Sequence, residues 1–126
     1  MTPLPPVVLG EDDFDYLSNL TAARAGAASE AIDFLEQELD RAEILPQEKL
    51  PADVVRIGST VDYRDLAAGA VRKVMLVYPN EADSEAGKVS VLTPIGAALI
   101  GLKTGQHIGW NARNGQHREL EILAVG

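Results

Sequence analysis

The sequence predicts an α+β protein: an N-terminal antiparallel helical hairpin, a short coiled coil, followed by an antiparallel sheet with one short helix. Three observations predict it. Up to Ile44 the apolar residues recur at three- and four-residue steps; after Pro51 apolar and polar residues begin to alternate; and Glu119 to Val125 alternates for most of its length, as a half-buried last strand does. The boundary divides the chain into residues 1–50 and 51–126.

In the first part, Glu11-Asp12-Asp13 open a helix with carboxylates suited to its positive end, and Phe14, Leu17 and Thr21 continue it. Arg24-Ala25-Gly26-Ala27-Ala28 reads as a turn, and Ser29 is a candidate N-cap for a second helix from about Glu30 to Glu43. Ile32, Leu35, Leu39 and Ala42 form its single apolar seam, and Leu45-Pro46 supplies the stop. Each arm is about 15 residues, roughly 20–25 Å. Pattern alone leaves open whether the hairpin projects or lies on the core of the second part.

Beyond Pro51, Val54, Val55 and Ile57 lead to Gly58-Ser59, Val61 and Tyr63 alternate with Asp62 and Arg64, and Val71, Val74, Leu76 and Val77 make a further β-rich run. Asn114-Gly115 suits a tight hairpin. The segment Lys88-Val-Ser-Val-Leu-Thr-Pro-Ile-Gly-Ala-Ala-Leu-Ile-Gly101 runs from a strand into a short helix over about Ile95 to Leu102. Thr93-Pro94 ends the strand, and Gly96, Ala97 and Ala98 let the helix lie close to the sheet.

The totals exclude several classes of function. A formal charge of −8 disfavours a ligand held through its phosphates, so direct nucleic-acid binding is not expected. With no cysteine there is neither a disulfide nor a thiolate metal site. No apolar run reaches the length of a membrane span, and the opening residues lack the marks of a signal peptide, so the expected location is cytoplasmic and the expected state monomeric.

Motifs for chemistry are few. His107 and His117, the only histidines, have no ligand spacing, and no serine lies in a nucleophile elbow. The glycines near Gly96 and Gly101 match neither a dinucleotide fingerprint nor a phosphate loop. Glu36, Glu38, Asp40 and Glu43 read as the solvated stripe of the second helix, and Glu11, Asp12, Asp13 and Asp15 as helix N-terminal charges. No metal, cofactor or catalytic residue is assigned.

Asp53-Val54-Val55-x-Ile57-Gly58-Ser59-Thr60-Val61 and Lys88 to Gly101 together resemble the C-terminal domain of the Gre transcript-cleavage factors, over roughly Asp53 to Val125. Glu38-Leu39-Asp40-Arg41-Ala42, Leu76-Val77-Tyr78-Pro79, Pro94 to Leu102 and Gly105 are more similar still to the regulator of nucleoside diphosphate kinase (Rnk) family, relatives of Gre factors with a shorter hairpin. This resemblance covers nearly the whole chain. It implies an FKBP-like second domain that docks on RNA polymerase at the rim of the secondary channel. It also implies an indirect effect on nucleoside diphosphate kinase levels. The docking role it carries falls on Ser90, Thr93, Pro94 and Ile95, with Thr93 where Gre factors more usually have serine.

Gre factors place acidic residues at the tip of a long coiled coil, where they help hold a magnesium ion in the polymerase. The tip predicted here is Arg24, Ala25, Gly26, Ala27, Ala28 and Ser29, with Glu30 its only acid. Two carboxylates that project together are missing, so cleavage stimulation is not expected. An apolar pocket lined with aromatic rings, as a prolyl isomerase needs, is not expected from Tyr63, Tyr78 and Trp110 alone. The reading is a non-enzymatic regulator that binds polymerase and competes with Gre-type factors. The alternatives are a Gre-like cleavage stimulator and a binding module for some other protein.

Overall fold

The computed structural model describes residues 6–24, 30–111 and 115–126. Among these residues seven strands and three α-helices follow in the order β1 (Val8–Gly10), α1 (Glu11–Ala23), α2 (Glu30–Arg41), β2 (Glu43–Leu45), β3 (Thr60–Asp65), β4 (Ala70–Val77), β5 (Lys88–Ser90), α3 (Pro94–Leu99), β6 (His107–Asn111) and β7 (His117–Val125). The expected turn at Ala25 to Ala28, the cap at Ser29 and Asn114 of the expected hairpin lie outside the described residues.

Strands β3 to β7 form one sheet in the order β5-β4-β3-β7-β6. It is not wholly antiparallel, because β5 runs parallel to β4, with Met75, Leu76 and Val77 beside Lys88, Val89 and Ser90. The turn at Pro79–Glu81 and the one at Ser84–Ala86 carry the chain back to the start of the sheet before β5, and that is what makes the pair parallel.

Other boundaries also differ from expectation. The second helix stops at Arg41, and Glu43–Leu45 pairs in parallel with Val8–Gly10 as a small second sheet. Val54 makes a single bridge to Lys103, and Gly58-Ser59 lies in the turn ahead of β3 rather than on a strand. The short helix begins one residue earlier than expected and ends at Leu99, after which Gly101 turns the chain at a φ of 81°. A Cβ there would run into the Val7 side chain, so glycine is required both by its dihedral and by the close passage of the N-terminal segment.

The helices lie on the body. Leu17 of α1 and Ala31 and Leu35 of α2 belong to one buried cluster with Val61, Leu76, Leu99, Ile100, Leu120 and Ile122. Two edge-to-face aromatic pairs fasten the rims, Tyr16 on Tyr78 at 4.6 Å and Phe34 on Trp110 at 5.7 Å. Three features thus bind the first fifty residues to the sheet: the common core, the aromatic pairs and the backbone bond from Val8 N–H to the Gly101 carbonyl. No helix among the described residues is long and apolar enough to cross a membrane.

The strand-to-helix corner and the groove beside it

The corner from Ser90 to Gly96 is built from local hydrogen bonds. The Ser90 carbonyl accepts the Thr93 N–H at 3.1 Å and the Thr93 hydroxyl at 2.8 Å. The Ser90 hydroxyl in turn accepts the Leu92 N–H at 3.0 Å. Thr93 is the N-cap of α3, its Oγ1 accepting the Gly96 N–H at 3.0 Å, and Pro94 follows at the first helical position, where a missing N–H costs nothing. Gly96 has no room for a side chain, because a Cβ would overlap the Ser90 carbonyl oxygen. The helix therefore starts hard against the end of β5.

This geometry separates the four residues that the family resemblance brought forward. Ser90 is buried, and its hydroxyl is turned inward to shape the bend. Thr93, Pro94 and Ile95 are half-buried and make the solvent side. The Thr93 hydroxyl both donates and accepts within the corner. Of the predicted tip, Arg24 is exposed at the end of α1 and Glu30 opens α2, half-buried, with one carboxylate oxygen turned inward; residues 25–29 lie outside the described residues.

The acidic residues are not uniform. Glu36, Asp40 and Glu43 are exposed as expected, but Glu38 is 1% exposed. It lies three residues after Leu35 and seven after Ala31, on the flank of the seam that packs inward. Among the described residues neither of its oxygens has a hydrogen-bond partner, and Arg41 lies 3.9 Å away. Burial pushes its carboxyl well above the ordinary range, and the Arg41 charge offsets only part of that. Asp13 is buried too, and desolvation raises it against hydrogen bonds from Gln47 and the Ile57 backbone.

Gln47 also completes α1. Gly10 at the N-cap has no side chain to offer, and the Gln47 Oε1 accepts the Asp12 N–H at 3.1 Å and the Asp13 N–H at 3.5 Å from across the small sheet. A Cβ on Gly10 would occupy the same space as that amide.

The histidines lie on the outer face of the sheet, His107 3.7 Å from Glu121 and His117 3.8 Å from Glu119. Among the described residues no group of three or more histidine, aspartate or glutamate side chains is placed to hold a metal.

Ile95 also borders a groove that sequence reasoning did not bring together. It measures about 480 Å³ and is lined by Tyr63, Asp65, Arg72, Val74, Glu85 and Arg118 among others. Tyr63 stands directly opposite Arg72 across the β3–β4 pair, and Arg118 meets Asp65 at 3.5 Å. The apolar run at Val71 concealed this arrangement: Val71 is 57% exposed on the outer face, and Arg72 takes the inner one. The available signal was the strand period itself, which places Tyr63 on the inward row with Val61.

A two-helix N-terminal segment on a mixed sheet with a short capped helix defines the class of the GreA/GreB elongation factors. A solved GreA/GreB elongation factor from Nitrosomonas europaea superposes with a TM-score of 0.73 at 33% identity, over 96% of this chain and 98% of that one. The model of the transcription elongation factor GreA/GreB C-terminal domain matches residues 50–126, and that of the Rnk N-terminus matches residues 5–45. The regulator of nucleoside diphosphate kinase of Escherichia coli strain K12 is 37% identical over 121 residues, 96% of this chain and 89% of that protein. GreA of Rhodospirillum rubrum is 42% identical over 93 residues, 73% of this chain and 59% of that factor. The chain belongs to the regulator of nucleoside diphosphate kinase family, with an Rnk N-terminus ahead of a GreA/GreB C-terminal domain.

Proposed function

We propose that this protein is a non-enzymatic transcription regulator that docks on RNA polymerase at the secondary-channel rim and competes there with Gre-type factors. The observation that carries the reading is the corner at Thr93-Pro94-Ile95. It is rigidly capped from within, half-open to solvent, and set in a domain matched by the GreA/GreB C-terminal model. A preformed foothold of this kind loses little conformational freedom on binding.

The hairpin supports the second half of the proposal. Its helices have 13 and 12 residues, roughly 20 Å each, and are held on the body by Leu17 and Leu35. Arms so short and so anchored would stand at the mouth of a channel rather than reach along it. Where the arms meet, residues 24–29 contain no carboxylate and Glu30 is half-buried, while the exposed Glu36 and Asp40 lie further along α2. That favours competition over transcript cleavage. The effect on nucleoside diphosphate kinase that the relative's name states would then follow indirectly, through transcription.

The test is capture of core RNA polymerase by the immobilised protein, with Pro94→Ala and Ile95→Ala compared at a temperature where all are folded. The native protein is expected to retain polymerase and both variants to lose most of it. Equal retention by all three removes the corner from the interface. Shortened transcripts from stalled complexes would favour the cleavage reading instead.

A further inference from the structure

We propose that the groove beside Ile95 is a receptor for one carboxylate side chain of the docked polymerase segment, gripped by Arg72 and the Tyr63 hydroxyl. This rests on the polymerase reading for its partner and extends the footprint from the corner onto the sheet.

The groove exists because the helices cover only one end of the sheet's inner face. Val61, Leu76 and Tyr63 belong to the buried cluster, and Tyr63, at its margin, lines the groove together with Asp65 and Arg72 further along the same pair of strands. Tyr63 is only 3% exposed, yet its hydroxyl makes no hydrogen bond among the described residues. Tyr63 lines the groove and its hydroxyl is not among the fully buried polar atoms, so an incoming acceptor can take the place of water there. Arg72 is exposed and likewise has no ion-pair partner among the described residues. Arg118, by contrast, is engaged by Asp65 at 3.5 Å and lies over the Trp110 ring at 5.8 Å. Burial raises the Tyr63 phenol above its ordinary range and Asp65 adds to that, while the charges of Arg72 and Arg118 oppose it, Arg72 the more strongly.

The same lining selects the ligand. Arg72, Lys73 and Arg118 against Asp65 and Glu85 leave a surplus of one positive charge, which suits a singly charged carboxylate in the fork of a guanidinium. A phosphate group with two charges would have to face Asp65 and Glu85 on a molecule whose formal charge is already −8. Val74 and Ile95 supply an apolar wall for the stem of an aspartate or glutamate side chain.

The test is the affinity of the purified full chain for core RNA polymerase, comparing native protein with Arg72→Glu, Arg72→Ala, Tyr63→Phe and Arg64→Glu. Arg64 lies on the opposite face, 3.5 Å from Glu121, and reports the effect of charge reversal away from the groove. Arg72→Glu is expected to weaken binding about tenfold or more, Arg72→Ala and Tyr63→Phe by smaller factors, and Arg64→Glu to leave it nearly unchanged. Native binding with no loss in Arg72→Glu or Arg72→Ala, or an equal loss in Arg64→Glu, overturns the carboxylate receptor while leaving docking intact. Absence of binding by the native protein overturns the polymerase reading itself, and this inference with it.

Discussion

Thr93 is a single side chain that secures the corner proposed here as the docking surface. Its hydroxyl closes the first turn of α3 and ties that turn to Ser90, so its removal costs about 1 kcal/mol, a typical N-cap loss. Thr93→Ser keeps the oxygen and should melt within a degree or two of the native protein, whereas Thr93→Ala should melt lower by several degrees. Thermal denaturation followed by circular dichroism separates the two; equal melting of Ser and Ala variants would show that the cap contributes nothing. Glu38 makes the opposite case, a residue whose local sequence looks solvated. Its carboxyl is raised above 4.5 in the folded state, so the fold holds the proton more tightly than the unfolded chain does. Stability from this group is complete below pH 4.5 and is lost as the pH rises through the folded value. Glu38→Gln cannot ionise, so its advantage over the native protein should grow between acidic and neutral pH; denaturant titrations at pH 5 and 8 that give the same difference would refute this.

At the level of elements, the parts that could be read in the sequence are those whose signals are local. The strand end at Thr93-Pro94 and the seam of Ile32, Leu35 and Leu39 each announce themselves within a few residues, and the corresponding helices appear close to where they are expected. Helix α2 stops at Arg41, and α3 runs from Pro94 to Leu99 behind a cap at Thr93 that sequence reasoning did not name. What could not be read depends on distant partners. Strands β1 and β2 have three residues each and exist only because they meet across the hairpin. The N-cap of α1 comes from Gln47, 35 positions from the Asp12 N–H that it receives. The groove was hidden for a related reason: strand period fixes which residues share a face, but not how far the helices extend over it. Gly10 and Gln47 make the long-range cap testable. Gln47→Ala should destabilise the protein by about 1 kcal/mol, and Gly10→Ala, by displacing the same amide, should cost a similar amount. The double variant should then lose little beyond either single one. Fully additive losses in chemical denaturation would mean that the two residues act independently.

For the molecule as a whole, the family likeness and the geometry meet at one surface. The corner, the groove beside Ile95 and the anchored helices form a body with a GreA/GreB-type C-terminal domain and a short N-terminal segment. Its formal charge of −8 suits approach to a basic partner surface rather than to bare nucleic acid. If this body occupies the Gre position on polymerase, the two kinds of protein cannot be bound together. Displacement of a fluorescently labelled Gre factor from core RNA polymerase by increasing amounts of this protein measures that exclusion. The account predicts complete release of the label by the native protein, with Pro94→Ala needing a much higher concentration. A Gre factor that stays bound while this protein joins the same complex, or a Pro94→Ala variant as effective as the native chain, would contradict it.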